Sequence, residues 1–125
     1  MSGVTPVLTS EATAPVGPYS QAVKANGQIF CSGQIPADKT GKMVEGSIAD
    51  KTEAVCKNLG AILKEAGSDF SKVIKVNVFL TDMGNFAEMN SVYEKFFVTK
   101  PARSCVAVKE LPKGVPLEIE LIALQ

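Results

Sequence analysis

Hydrophobic residues recur with a helical period in two segments of the chain, and the first begins at Ser47. Apolar positions there repeat at i, i+4, i+7, i+8 and i+11, which marks one face of a helix. They are Val55, Leu59, Ile62, Leu63 and Ala66. Asp50 follows Ser47 as in a capping box, and Gly67 suits the end of the helix. The opposite side, which we expect to face solvent, carries Lys51, Lys57, Asn58 and Lys64.

The second helical segment follows a turn at residues 82–85 and ends before Pro101, which should hold Lys100 in an extended conformation. Its apolar positions are Phe86, Met89, Tyr93, Phe96 and Phe97. Asn90 lies four residues after Phe86 and three before Tyr93, so this polar side chain shares the apolar face.

Six strand-like segments surround the helices. They comprise residues 7–8, 22–25, 28–32, 73–80, 103–108 and 117–124. Asn26-Gly27 predicts a tight hairpin between the second and third, because both residues tolerate positive φ. In the fourth, alternation places Ile74 on the same face as Val76 and Val78.

The predicted order is β-β-β-α-β-α-β-β, which indicates the α+β class: a mixed sheet with two helices packed on one face. In the fifth strand, Cys105 and Ala107 alternate with Val106 and Val108, so both faces are apolar. Two helices cover only one face. We therefore expect the other face to pack against another copy of the chain in a homo-oligomer.

Length and composition indicate an ordinary globular protein. A chain of 125 residues predicts one domain spanning residues 1–125. Thirteen basic and thirteen acidic residues cancel, which argues against nucleic acid as a partner. No apolar run reaches about 18 residues, so no membrane partner is expected. The N-terminal residues lack the features of a secretory or mitochondrial signal, and we expect a cytoplasmic protein.

The cysteine and histidine counts restrict the chemistry. Cys31, Cys56 and Cys105 are odd in number and widely spaced, which predicts free thiols. The chain has no histidine, and therefore lacks the commonest general base and the commonest metal ligand. We expect neither a metal nor another cofactor.

Charged residues interrupt the last two apolar strands. Burying an unpaired charge costs several kcal/mol, roughly, so such residues are normally paired, exposed or functional. Arg103 has the planar fork that binds a carboxylate, with a structural salt bridge to an acidic neighbour or to a partner subunit as the alternative. We interpret Arg103 and Glu118 as the polar floor of a small-ligand pocket. The alternative for Glu118 and Glu120 is a strand edge that faces solvent.

Weaker candidates have simpler alternatives beside them. Asn90 either serves the site or bonds helix to strand, and Tyr19 either meets a ligand or belongs to core or rim. Ser32-Gly33 could expose a backbone amide near a ligand. Cys105 is a poor candidate nucleophile, because no histidine stabilises its thiolate.

Four segments together resemble the reactive intermediate deaminase family, the RidA or YjgF type, over essentially the whole chain. They are Gly17-Pro18-Tyr19-Ser20-Gln21-Ala22, Ser32-Gly33-Gln34-Ile35-Pro36, Asn90-Ser91-Val92-Tyr93 and Pro101-Ala102-Arg103-Ser104-Cys105-Val106. Leu117-Glu118-Ile119 completes what looks like the C-terminal signature of the family. Lys100 stands where many relatives carry an aromatic residue beside the arginine.

The resemblance implies a chorismate-mutase-like fold and a homotrimer around a central barrel, with ligand clefts between subunits. It also implies hydrolysis of 2-iminopropanoate and 2-iminobutanoate, from 2-aminoacrylate and 2-aminocrotonate, to 2-keto acids and ammonia.

The same resemblance assigns roles by position. Arg103 would bind the substrate carboxylate, Glu118 would position water, and the backbone of Cys105 would contact the nitrogen side. The residues that would line the cleft are Tyr19, Ser32, Gly33 and Asn90.

Two other functions stay open at this point. One is a metabolite-binding or chaperone-like module without turnover, since Arg103 and Glu118 also suit binding alone. The other is RNA-directed inhibition of translation by an endoribonuclease, against which the zero net charge and few aromatic residues argue.

Overall fold

The elements of the computed structural model, which describes residues 3–125, follow the predicted order. The strands are β1 (Thr5–Val7), β2 (Ala22–Ala25), β3 (Gln28–Gln34), β4 (Val73–Leu80), β5 (Ala102–Ala107) and β6 (Leu117–Leu124). Helix α1 (Ile48–Glu65) joins β3 to β4, and helix α2 (Phe86–Phe96) joins β4 to β5.

All six strands form one sheet in the order β1-β2-β3-β6-β4-β5. Only β4 and β5 pair in parallel, because α2 crosses over between them, and the other neighbours are antiparallel. The last strand, β6, therefore lies in the middle of the sheet. The predicted α+β class with a mixed sheet is confirmed.

Both helices pack on the same face of the sheet, as predicted. Val76 pairs with Leu121 and Val78 with Ile119, and these side chains are almost completely buried. The helical residues buried over them include Val55, Leu59, Ile62, Met89 and Tyr93. No helix of residues 3–125 covers the opposite face, where Phe30, Val106 and Leu124 are 38%, 49% and 45% exposed.

Local signals fix the ends of α1 and the first hairpin as predicted. The Ser47 hydroxyl accepts from the amide of Asp50, and the Asp50 carboxylate accepts from the amide of Ser47. Gly67 ends the helix at a φ of 85°. Asn26 and Gly27 both take positive φ values, 55° and 74°, as a tight hairpin turn requires.

Three local predictions are wrong. Pairing passes from Val73 with Ala123 to Lys75 with Ile122, so Ile74 is the extra residue of a bulge and is 39% exposed. Asn58 is buried, because the segments before β2 and after β3 fold over that side of α1. Lys100 takes a φ of 55° in the turn that follows α2, rather than an extended conformation.

Candidate functional site

The first of two candidate cavities, called here the acidic cleft, lies beside β3 and β6 and measures about 400 Å³. Four predicted site residues line it together: Tyr19, Ser32, Gly33 and Glu118. Glu120 lies on the same side of β6 and also lines it. β6 is a central strand, but both glutamates lie on the face of the sheet that the helices leave uncovered, so their alternative as solvent-facing residues stays open.

Ser32 holds the loop that carries Tyr19. Its hydroxyl donates to the carbonyl of Ser20 at 2.7 Å, and its amide donates to the carbonyl of Gln21 at 2.9 Å. The Tyr19 hydroxyl in turn accepts from the amide of Val16 at 3.4 Å. Ser32 therefore shapes the rim of the acidic cleft from within the chain.

A buried polar network behind this loop was missed in the sequence. The Gln21 amide nitrogen donates to the carbonyl of Thr13 at 2.9 Å, and the Thr13 hydroxyl donates to the carbonyl of Asp38 at 2.8 Å. The Asn58 amide nitrogen donates to the carbonyl of Ala37 at 2.8 Å. Buried polar residues on predicted solvent-facing sides leave no periodic signal, and only the fold brings these partners together.

Glu118 lies in a tight, partly apolar position. Burial raises the pKa of its carboxyl, and the neighbouring Glu120 charge raises it further. Glu120 accepts from the Asn77 amide at 3.0 Å. A Cβ atom at position 33 would come within 2.6 Å of the Glu118 carboxylate oxygen Oε2, so only Gly33 allows this close approach.

The second cavity, called here the basic pocket, measures about 330 Å³ and lies between α2 and the start of β5. Arg103 Nη1 donates to Asn90 Oδ1 at 2.6 Å, which confirms the predicted hydrogen bond from helix to strand, while a role of Asn90 in a ligand site stays a prediction. The ion pairs found in residues 3–125 join Lys39 to Glu11 and Lys57 to Glu53. Arg103 thus has no acidic partner in that part of the chain, and the alternative of a salt bridge within the chain is wrong.

Arg103 and Glu118 point to opposite faces of the sheet. Arg103 pairs with Val76 of β4, whereas Glu118 pairs with Phe79, and residues three apart on a strand face opposite ways. Arg103 therefore points to the helix side and Glu118 to the open side. The prediction that they form the floor of one pocket is therefore wrong for a single chain.

Cys105 lines neither cavity and packs at the margin of the core. Burial raises the pKa of its thiol, although the Arg103 charge opposes this shift. Burial also raises the pKa of Cys31 and of Cys56 to about 12. All three cysteines are free, as predicted.

Two kinds of feature are absent from residues 3–125. No helix within residues 3–125 combines the length and apolar character that crossing a membrane requires. Within the same residues, no three Cys, Asp or Glu side chains are grouped so that they could hold a metal ion.

Comparison with known proteins gives consistent matches over nearly the full chain. Residues 9–125 match the family model described as endoribonuclease L-PSP. Protein HMF1 of Saccharomyces cerevisiae is 53% identical over 123 residues, covering 98% of this chain and 95% of that protein. Protein MMF1, mitochondrial, of the same yeast is also 53% identical, covering 98% and 85%.

Two solved structures from Escherichia coli share the fold. TdcF with bound serine superposes with a TM-score of 0.92 at 38% identity, covering 97% of this chain and 98% of that one. The YjgF gene product superposes with a TM-score of 0.91, also at 38% identity and with the same coverage.

Proposed function

We propose that this chain, which belongs to the RidA or YjgF family described by the endoribonuclease L-PSP model, is a hydrolase of reactive 2-imino acids. Its substrates are 2-iminopropanoate and 2-iminobutanoate, and its products are 2-keto acids and ammonia. The observation that carries the proposal is Arg103, a half-buried cation without an acidic partner in residues 3–125. Its planar fork suits the carboxylate of such a substrate.

The complete site lies between subunits of a homotrimer, with the acidic cleft of one chain facing the basic pocket of the next. Two observations support this arrangement. Arg103 and Glu118 lie on opposite faces of one chain, and apolar side chains such as Phe30 and Val106 are exposed on the face that no helix covers. The TdcF structure contains serine, a ligand with a carboxylate and a nitrogen on the adjacent carbon.

Catalysis in this arrangement needs orientation and one proton carrier. Arg103 binds the carboxylate, and Glu118 holds the water that attacks the imine carbon. The resulting carbinolamine loses ammonia as the carbonyl forms. Because its pKa is raised, Glu118 can take a proton from the attacking water and pass it to the imine nitrogen, which forms the carbinolamine. It can then carry the hydroxyl proton of the carbinolamine to the amine, so that the nitrogen leaves as ammonia. Proximity contributes about 7–11 kcal/mol to lowering such a barrier.

The other site residues have supporting roles. Tyr19, Ser32 and Gly33 shape the cleft around the imine, and Asn90 holds Arg103. The backbone of Cys105 faces the substrate nitrogen, while the thiol takes no part because its raised pKa keeps it protonated.

Loss of the carboxylate anchor tests the proposal. With a serine/threonine dehydratase generating 2-aminoacrylate, the wild type should release pyruvate faster than the spontaneous reaction. Arg103→Ala should lower the enzymatic rate by roughly 10- to 150-fold, because a charge-assisted hydrogen bond is lost. Circular dichroism must show that the variant is folded. If the wild type does not exceed the spontaneous rate, the enzyme proposal fails and a metabolite-binding module is the better interpretation.

Localisation is a separate proposal. We expect this protein in the cytoplasm, although the similar yeast protein MMF1 is named mitochondrial. Cell fractionation against a mitochondrial marker distinguishes the two compartments.

A further inference from the structure

Aromatic rings connect the Arg103 guanidinium to the core. Its central carbon lies 4.7 Å from the centre of the Tyr93 ring and 5.5 Å from that of Phe86. Tyr93 stacks on Phe97, with ring centres 4.3 Å apart and an interplanar angle of 19°. Phe97 meets the ring of Phe70 edge-on at 5.0 Å. The surface beneath the guanidinium is therefore a supported aromatic face.

The hydroxyl of Tyr93 forms no well-aligned hydrogen bond that would account for a tyrosine at this position. The residue is only 7% exposed, and no group in residues 3–125 makes a well-aligned hydrogen bond with its buried hydroxyl oxygen. Burial raises the pKa of Tyr93, and the nearby Arg103 guanidinium, through its charge and a poorly aligned contact with the hydroxyl, opposes this shift. A buried hydroxyl without a well-aligned hydrogen bond is unfavourable, so we expect the main benefit of this residue to come from its ring.

We propose that Tyr93 is a positioning residue for Arg103. The ring holds the guanidinium by a cation–π contact, while Asn90 Oδ1 accepts from Nη1 and fixes the rotation of the fork. The N–H groups not used by Asn90 are then presented to the basic pocket. A preoriented fork binds a planar carboxylate with less loss of side-chain freedom. This role rests on the proposed function only as far as the carboxylate is that of the substrate.

The direct test is the ¹⁵N–¹H spectrum of the Arg103 guanidinium in three variants. Tyr93→Phe keeps the ring, Tyr93→Leu removes it, and Phe70→Leu removes a ring of the same cluster that does not meet the guanidinium. We expect ring-shifted Arg103 signals in the wild type, Tyr93→Phe and Phe70→Leu, and in Tyr93→Leu a clear change toward the values of free arginine, with a remaining shift from Phe86 and Asn90. If Tyr93→Leu does not fold, Tyr93→Met removes the ring while keeping more volume. Unchanged Arg103 signals after loss of the ring would overturn the proposal.

Binding and kinetics give a second readout. The affinity for 2-oxobutanoate, an unreactive keto acid, should fall roughly 2- to 30-fold in Tyr93→Leu and stay within about twofold of the wild type in Tyr93→Phe. In turnover, KM should rise more than kcat falls. Equal losses in Tyr93→Phe and Tyr93→Leu would contradict the role of the ring. If the wild type neither turns over imines nor binds 2-oxobutanoate, the proposed function fails, and the spectra alone decide the role of Tyr93.

Discussion

Glu118 and Arg103 are both half-buried, but the groups that surround the two side chains differ. Around Glu118, burial and the Glu120 charge disfavour the carboxylate, and no hydrogen bond reaches this carboxyl in residues 3–125. Arg103 instead donates to an amide oxygen at 2.6 Å and lies against the aromatic rings of Tyr93 and Phe86. These surroundings suit the proposed roles, in which Arg103 binds an anion and Glu118 exchanges a proton.

The raised pKa of Glu118 predicts a pH-dependent effect of Glu118→Gln. In the folded chain, the pKa of this carboxyl is raised above its ordinary value of 4.5, so above pH 4.5 the folded chain binds this proton more tightly than the unfolded chain does. The free energy of unfolding of the wild type therefore falls as pH rises from 4.5 through the raised pKa. Glu118→Gln removes this pH-dependent loss of stability, because glutamine does not ionise. Urea unfolding should show that the free energy of unfolding of Glu118→Gln, relative to that of the wild type, increases between pH 4 and pH 7. A difference between the two proteins that does not change with pH would contradict this; Glu110→Gln, at an exposed carboxyl, is the control.

Among the elements, β3 and β6 show how strand contact positions the site. The antiparallel pairing shifts register between Cys31 and Gln34, and Gly33 lies in this irregular stretch. Here the absence of a side chain lets the Glu118 carboxyl lie against the β3 backbone. The position of Glu118 is therefore determined by the neighbouring strand as much as by its own.

Gly33→Ala should displace the Glu118 side chain with little effect on the stability of the fold. The added methyl would meet the flexible end of Glu118, so the side chain can move, and the free energy of unfolding should change by less than about 1 kcal/mol. Turnover should fall by up to about 100-fold, because the catalytic carboxylate is displaced. Gly17→Ala is the matched control, since a Cβ there makes only ordinary contacts at 3.6 Å. Full activity in Gly33→Ala would show that Glu118 does not act from this position.

Elements with strong local signals could be predicted from the sequence, and contacts between distant segments could not. The Ser47 cap, the periodic face of α1 and the Asn26-Gly27 turn each depend on neighbouring residues. The burial of Asn58 depends on Thr13 and Ala37, which are remote along the chain. Likewise, alternation defines two faces for each strand, but which face of β5 matches which face of β6 depends on their separate registers with β4.

At the scale of the whole molecule, one face of the sheet is covered by the two helices and the other face is uncovered. The uncovered face combines exposed apolar residues such as Phe30 and Val106 with the two glutamates of β6. In the proposed homotrimer, an interface between unlike surfaces of neighbouring chains would cover these apolar residues and bring Glu118 of one chain near Arg103 of the next. Under the proposed function, assembly is then a condition of activity, because each site needs two chains.

Mixing two inactive variants tests this claim most directly. Arg103→Ala and Glu118→Gln chains, carrying different tags, are produced together and purified through both tags. Each variant alone should release little keto acid. In a mixed trimer, a site that takes Arg103 from one chain and Glu118 from the other is intact, and each mixed trimer contains one such site, so about one third of the sites should be intact after purification through both tags. Keto-acid release at about one third of the wild-type rate is the predicted result, and release no greater than that of either variant alone would contradict a site shared between chains.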